Sequence, residues 1–416
     1  MRASRQWLGM GAARRRTAGV LGLVVVFTLL GGVAWKVRSL TIAILPPPRP
    51  LEGSQPYATL LCKFADAAIE PLTPAYFDSL MFDGPESLDQ YWRRVSYGKI
   101  DLVGSKAFGW FAMPYAREAY RGAAPDSADL EALARDCAAA ADPRVDFRPF
   151  TGINLVFNKC IHRPRGGEMA LMLDGERRRF RITWLCPGAS ASHQILAHEM
   201  GHSFGLTHSE DAEGDEYGNT WDVMSVAAYC ATDSGFGYLA QEPIAINKDL
   251  LGWIPVDRKF RSPGGEARTI VLNGPAAQGN GYLLAEIPLG RGRMYTVEAR
   301  LRAGFDYALP ASGVLVHEVD YRRPNKAQLV SPARSAAGDL AALFGGWGVG
   351  SVFFDEASGV SVSVDRALDE GFLVTISHGP RPQGAMASAA PLSHGPDASA
   401  PPVFHRGHIC EEPARN

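Results

Sequence analysis

Apolar residues recur along this chain at two different spacings, and the change between them divides the sequence. Up to about residue 258, segments with helical spacing alternate with short apolar runs, which predicts a mixture of helices and strands. Beyond that point, short β-branched and aromatic runs are separated by Gly, Pro and Asp, which is typical of a β-sandwich. The pattern therefore predicts an α+β fold, with a first domain at residues 56–258 and a β-rich domain at residues 259–379.

Three helices are predicted in the first domain. Ser87 and Gln90 have the spacing of a capping box at the start of one helix. Ser127 is the predicted cap of a second helix. The third begins at Ser190 or Ser192. Its apolar residues lie on one face, which suits packing against a sheet: Leu196, Met200 and Phe204.

Short apolar runs predict the strands of both domains. In the first domain they cover residues 58–64, 99–103, 153–157, 169–173 and 180–185. The last two flank Asp174-Gly175, a dipeptide typical of a tight hairpin turn. In the second domain the runs lie at residues 269–272, 282–287, 295–299, 314–319, 349–354, 360–364 and 372–376.

The two ends of the chain differ from its folded part. Residues 17–35 are uncharged and mostly apolar. Five arginines precede them: Arg2, Arg5, Arg14, Arg15 and Arg16. Residues 1–38 are therefore predicted to be a cytoplasmic end with a membrane anchor, or alternatively a cleaved export signal. Residues 39–55 form a proline-rich linker and residues 380–416 a disordered tail. Either way the protein would lie outside the cytoplasm, membrane-anchored or secreted.

Composition and charge narrow the class of protein. The 416 residues are 46% hydrophobic with a formal net charge of -2, which describes a globular protein and no nucleic-acid binder. Six cysteines in an exported chain permit disulfides. Cys137, on the apolar stripe of a predicted helix, is interpreted as a buried thiol. Cys160, Cys186 and Cys230 are the expected disulfide partners. Nothing in the sequence indicates an oligomeric state.

Residues 198–208 carry the candidate chemistry. His198 and His202 lie four apart on a predicted helix and point two imidazoles at one metal ion, with Glu199 about 100° round the axis. Gly205 tolerates the left-handed backbone that ends a helix, so the chain can turn and supply His208 as a third ligand. This spacing predicts a Zn2+ site with one open position.

The predicted zinc site implies a reaction. Zinc lowers the pKa of bound water to about 7 and polarises a carbonyl group. Glu199 would take the proton of that water and pass it to the leaving amine. An exported zinc endopeptidase acting on proteins or peptides is therefore expected. Two alternatives stay open: hydrolysis of a non-peptide amide, and a catalytically silent peptide-binding or adhesion module of the cell envelope. The carboxylate of Glu199 argues against the silent module.

The motif His-Glu-x-x-His-x-x-Gly-x-x-His resembles that of the metzincin zinc peptidases. The resemblance implies a catalytic domain with a twisted sheet and an active-site helix. It also implies a methionine in a tight turn beneath the histidines, here Met224. Val226 stands where many metzincins have a tyrosine that assists the transition state, and the sequence assigns that role to neither Tyr217 nor Tyr229.

Other segments are similar to metzincins of the gametolysin and immune inhibitor A kind, and the similarity covers roughly residues 56–380. The matching segments are residues 91–99, 109–111, 248–254, 297–300, 304–306 and 313–316.

Four arginines follow the predicted hairpin turn: Arg177, Arg178, Arg179 and Arg181. On an exposed strand edge, such charges block unwanted pairing. The alternative is that this strand borders the cleft, where its arginines would favour acidic substrate peptides aligned along it.

Overall fold

A sheet of five strands forms the centre of the first part of the chain. The computed structural model describes residues 50–124, 127–188, 192–225, 231–232, 235–332 and 344–380. The strands up to residue 188 are β1 (Gly53–Ser54), β2 (Tyr57–Lys63), β3 (Ile100–Asp101), β4 (Lys106–Ala112), β5 (Gly152–Phe157), β6 (Arg165–Leu173) and β7 (Glu176–Leu185). The five long strands pair in the order β4-β2-β5-β7-β6, and the short strands β1 and β3 pair with each other.

Four strands of this sheet are parallel, and the edge strand β6 is antiparallel to its neighbour β7. β6 and β7 form the predicted hairpin, in which Asp174 and Gly175 have positive φ angles of 51° and 76°. The inner strand β5 is buried at every residue, as expected for a parallel strand covered on both faces. β6 is partly exposed, and no strand among the described residues pairs with its outer edge.

The α-helices in the described residues are α1 (Pro74–Phe82), α2 (Leu88–Val95), α3 (Leu130–Ala141), α4 (His193–Ser203) and α5 (Ala245–Leu250). α2 and α4 pack on one face of the five-stranded sheet and α3 packs on the other, because alternate strand residues point to opposite faces. In β2, Leu61 shares a hydrophobic core with Leu196 and Met200 of α4. Leu60 instead shares a core with Leu133 of α3. The apolar stripe of the third predicted helix therefore packs against the sheet, as expected.

Two of the predicted helix caps are confirmed and one is wrong. Ser87 caps α2 and Ser192 caps α4, each accepting a backbone N–H of the first turn. Asp129 caps α3 by accepting the Ala132 N–H at 2.9 Å, so the cap is not Ser127. A carboxylate directly before the first helical residue satisfies the same unpaired N–H groups that Ser127 was expected to reach.

The interpretation of Cys137 as a buried thiol is wrong. Cys137 forms a disulfide with Cys62, and their Cα atoms lie 5.8 Å apart. Helix α3 packs on the face of β2 that carries Cys62, so the helix stripe meets the strand at these two residues. Cys160 and Cys186, two of the expected partners, are free thiols. Cys230 lies outside the described residues.

Two larger sheets form the second part of the chain, and a short two-stranded sheet precedes them. The remaining strands are β8 (Ala231–Thr232), β9 (Tyr238–Leu239), β10 (Lys259–Arg261), β11 (Arg268–Asn273), β12 (Leu284–Gly290), β13 (Arg293–Arg300), β14 (Gly313–Asp320), β15 (Ala327–Leu329), β16 (Val352–Asp355), β17 (Val360–Leu368) and β18 (Gly371–His378). β8 pairs with β9, and the others pair in the orders β10-β12-β13-β14-β15 and β11-β18-β17-β16. Val297 and Val316 from one sheet share a hydrophobic core with Val362 and Val374 from the other, which is the packing of a sandwich.

The α+β class is confirmed, and each run predicted in the second part overlaps a strand. The described residues belong to one compact unit, and the domain boundary expected after residue 258 stays a prediction. No helix in the described part of the chain is long and apolar enough to cross a membrane. The predicted membrane segment at 1–38, most of the linker and nearly all of the tail lie outside the described residues.

Candidate metal centre

Three histidines converge where helix α4 ends. His198 and His202 lie on α4, and His208 follows Gly205, whose φ of 97° lets the chain reverse. The Nε2 atom of His202 lies 3.0 Å from the Nε2 atom of His198 and 3.0 Å from that of His208. The structure thus brings together all three predicted ligands around one point.

The hydrogen bonds of these rings suit a metal ion. Nδ1 of His198 donates to the Val223 carbonyl oxygen at 2.7 Å, and Nδ1 of His202 donates to the Leu206 carbonyl oxygen at 2.9 Å. Their Nε2 lone pairs consequently face each other with no proton between them, which is unfavourable unless a cation lies there. Two nitrogens of a tetrahedral zinc site are about 3.3 Å apart, close to the separation found here.

Burial keeps the three imidazoles neutral. It lowers the pKa of His198 to about 3 and that of His202 to about 4, and it also lowers the pKa of His208. Glu216 opposes the shift at His208, since its carboxylate oxygen lies 3.8 Å from the Nδ1 atom. A neutral imidazole is the form that binds metal, so the cluster is ready for an ion at neutral pH.

Glu199 directly follows His198 on α4, about 100° further round the helix axis, and is 5% exposed. Among the described residues, no hydrogen-bond donor holds its carboxylate. Burial raises the pKa of Glu199 to about 8, and the positive charge of Arg165 opposes that rise. A carboxylate with a raised pKa and no structural partner is suited to proton transfer.

Met224 lies against the helix that carries two of the histidines. It is fully buried, and a Cβ atom at Gly201 of α4 would lie 2.4 Å from its sulfur, so glycine allows this close packing. The preceding residue, Val223, supplies the carbonyl oxygen that fixes the ring of His198. The turn therefore supports the histidines through both a side chain and a backbone oxygen.

The carboxylate of Asp222 holds this turn in place. Its Oδ1 atom accepts the N–H groups of Met224 and Ile244, each at 3.2 Å. Its Oδ2 atom accepts the side-chain N–H of Asn247 at 2.8 Å. Asp222 thereby connects the turn to α5. No local sequence signal marks this residue, because two of its three partners lie well beyond the turn.

A second group of ionisable side chains lies where α5 meets β13 and β14. We call it the inner ionic cluster, and all of its members are buried: Glu242, Lys248, Glu298, Arg300, Asp306 and His317. Arg300 donates two hydrogen bonds of 2.7 Å to the Asp306 carboxylate, and Lys248 pairs with Glu242. This cluster links the two parts of the chain.

The interpretation of the hairpin arginines as edge charges is wrong, because β7 is an inner strand. Arg178 donates to the backbone carbonyl oxygens of Phe147, Arg148 and Phe150. Arg181 donates to Gln55 Oε1 at 2.7 Å. The arginine whose charge acts on Glu199 is instead Arg165, at the start of β6. No local signal identifies it, since β6 and α4 are separated in the sequence by a whole strand.

Tyr217, to which the sequence assigned no role, also lies beside the site. Its ring centroid lies 4.4 Å from that of His208, and the residue is 40% exposed. Val226 and Tyr229 lie outside the described residues.

No model of a known protein family matches this chain, and no curated protein matches it significantly. The chemistry of the chain is therefore inferred from the geometry of the three histidines and Glu199.

Proposed function

We propose that this protein is a zinc-dependent endopeptidase of the metzincin type that acts outside the cytoplasm. The observation that carries the proposal is the convergence of three neutral Nε2 atoms beside a carboxylate of raised pKa. Within the described residues, these histidines are the group that could hold a metal ion. Three nitrogen ligands leave a fourth tetrahedral position open, which is the pattern of catalytic zinc sites.

The residues of the site divide the reaction between them. His198, His202 and His208 would hold the zinc ion, which when bound supplies an acidic water and polarises the substrate carbonyl. The Glu199 carboxylate takes a proton from the attacking water and gives it to the amine nitrogen that leaves. In the metal-free chain, burial raises the pKa of Glu199 to about 8, so this carboxylate is a stronger base than an exposed one.

The surroundings of the site support the metzincin type. Helix α4 packs on a mostly parallel sheet, Gly205 reverses the chain, and Met224 lies against Gly201. These are the features that the motif resemblance implies.

The Cys62–Cys137 disulfide supports a location outside the cytoplasm, because disulfides persist in oxidising compartments. Export would depend on the apolar segment at residues 17–35, retained as a membrane anchor or cleaved as a signal. Protein or peptide substrates would then come from that compartment.

Incubation of the purified, zinc-loaded protein with a diverse peptide mixture tests this proposal, with cleaved bonds located by mass spectrometry. We expect cleavage of internal peptide bonds that a chelator abolishes. Glu199→Gln keeps the shape of the side chain without its basic oxygen. It should lower kcat by about 10³-fold while one zinc ion per chain stays bound.

Glu131→Gln is the matched control, because Glu131 lies on α3, across the sheet from the site, and should leave cleavage unchanged. Bound zinc without cleavage of any peptide would overturn the peptidase proposal. It would favour the catalytically silent peptide-binding module.

A further inference from the structure

An arginine without an internal partner lies beside the metal centre. Arg165 begins the edge strand β6 and its side chain is exposed. Within the described part of the chain, no carboxylate pairs with its guanidinium group and no hydrogen bond holds it. Arg178 and Arg181 of the same hairpin are occupied by carbonyl oxygens and by Gln55. Arg165 is therefore a cation available to a ligand.

The next residue shows how close β6 comes to the active helix. A Cβ atom at Gly166 would lie 1.9 Å from the Glu199 carbonyl oxygen and 2.8 Å from the Cβ atom of His202. The strand therefore lies directly on the helical turn that carries the proposed base and a metal ligand. A Cβ atom at Gly167, which points to the opposite face of the strand, would meet nothing within 4 Å.

Two charges of opposite sign act on the site. The positive charge of Arg165 lowers the pKa of four groups of the site: Glu199, His202, His208 and Tyr217. Glu216 acts oppositely and raises the pKa of His202 and His208. The site thus lies in the field of one cation, Arg165 on β6, and one anion, Glu216 in the segment after His208.

We propose that Arg165 is a specificity-determining residue that binds a carboxylate of the substrate peptide. The inference rests on the proposed peptidase function. A guanidinium group presents two parallel N–H donors that match the two oxygens of a carboxylate. Because Arg165 has no described internal partner, it gains this contact without breaking another. The carboxylate belongs either to an internal Asp or Glu side chain or to the C-terminus of the peptide.

Matched peptides distinguish these two sources. A peptide cleaved by the full-length protein is prepared with Glu or Gln at each position flanking the cleaved bond, and with a free or an amidated C-terminus. We expect the wild type to favour one carboxylate form by about five- to tenfold in kcat/KM at low salt. The preference should shrink as ionic strength rises. Dependence on Glu identifies a side chain, and dependence on the free terminus identifies an exopeptidase-like contact.

Substitutions at Arg165 give the decisive comparison. Arg165→Gln should lower kcat/KM for the carboxylate peptide to that of its neutral counterpart, mainly through a higher KM. Arg165→Glu should reverse the preference in favour of a Lys-containing peptide. Arg177→Gln removes the same charge from the same hairpin and should leave the preference unchanged. Arg177 lies opposite Met172, roughly 23 Å along β6 from Arg165.

Binding to the zinc-loaded Glu199→Gln protein separates this inference from the peptidase proposal. Anisotropy of labelled peptides reports affinity without cleavage. If the wild type cuts nothing, tighter binding of the carboxylate peptide that is lost in Arg165→Gln still supports the inference. Equal affinity for the carboxylate and neutral peptides overturns it, and so does a preference that persists in Arg165→Gln, whether or not the protein is a peptidase.

Discussion

The candidate metal centre and the inner ionic cluster both gather ionisable side chains, and they differ in how those groups are stabilised. In the candidate metal centre three neutral bases face one another, an arrangement that a bound cation would stabilise. In the inner ionic cluster the chain supplies both signs, as in the pair of Arg300 and Asp306. Loss of a metal-centre residue should therefore cost function, and loss of an inner residue should cost stability.

The largest expected effect on stability is at Arg300. Arg300→Met leaves the fully buried Asp306 without its bidentate partner, and breaking such a pair costs about 3–5 kcal/mol. Urea unfolding followed by tryptophan fluorescence measures this change. Arg302→Met is the control, since Arg302 is exposed and should alter stability by less than about 0.5 kcal/mol. If both substitutions changed stability equally, the inner ionic cluster would not be the stabilising element that distinguishes it from the metal centre.

Removing a ligand from the metal centre should weaken zinc binding and change stability little. His208→Ala should weaken zinc binding by more than about 100-fold, because only two nitrogen ligands stay in place. Competition with a fluorescent chelator measures the affinity. The free energy of unfolding of the metal-free variant should lie within about 1 kcal/mol of that of the metal-free wild type, since His208 is half-buried and lies outside the helices and strands. Full zinc occupancy in the variant would refute the assignment of His208 as a ligand.

The inner ionic cluster should also make stability depend on pH through His317. Burial lowers the pKa of His317 to about 3, so the folded imidazole stays neutral while the unfolded one takes a proton below about pH 6.5. The contribution of His317 to the free energy of unfolding is therefore complete above pH 6.5. It is lost as the pH falls, by about 2 kcal/mol between pH 7 and pH 5.

Urea unfolding of the wild type and of His317→Gln at both pH values tests this. The variant should be less stable at pH 7 and should lose less stability on acidification than the wild type does. Glu298 should increase stability on acidification, because burial raises its pKa to about 7. The test is therefore the difference between the pH profiles of the variant and the wild type, and the wild-type profile alone does not report on His317. Parallel pH profiles would show that His317 does not stay neutral on folding.

The smallest effect is expected where the two clusters meet, at Asp222. Asp222→Asn weakens the bonds to Met224 and to Asn247 and so loosens the turn whose Val223 carbonyl orients His198. Zinc affinity should fall by about tenfold, the low end of the effect seen for residues that orient metal ligands. The same chelator competition measures it. Unchanged affinity with lower stability would assign Asp222 to the fold alone.

The short elements that were not predicted share a physical reason. α5 has six residues and β15 has three, so neither is long enough to display a repeating pattern of apolar positions. The long strands other than β4 (Lys106–Ala112), and the hairpin at Asp174-Gly175, were predicted because alternation and turn residues act over a few positions. Ser192 and Ser87 were predicted as caps for the same reason.

The sequence by itself determined the elements that local preferences specify, and with them most of the metal centre. His198, Glu199 and His202 share one helix, and Gly205 lets the following turn bring in His208, so short-range geometry sets their relative positions.

Only the tertiary structure decided which distant segments meet. It pairs Cys62 with Cys137, makes β7 an inner strand and lays β6, with Arg165, against α4. These outcomes depend on the order of strands in a mainly parallel sheet, in which adjacent parallel strands are far apart in the sequence. That order is selected by the burial of both sheet faces together, which no single segment encodes.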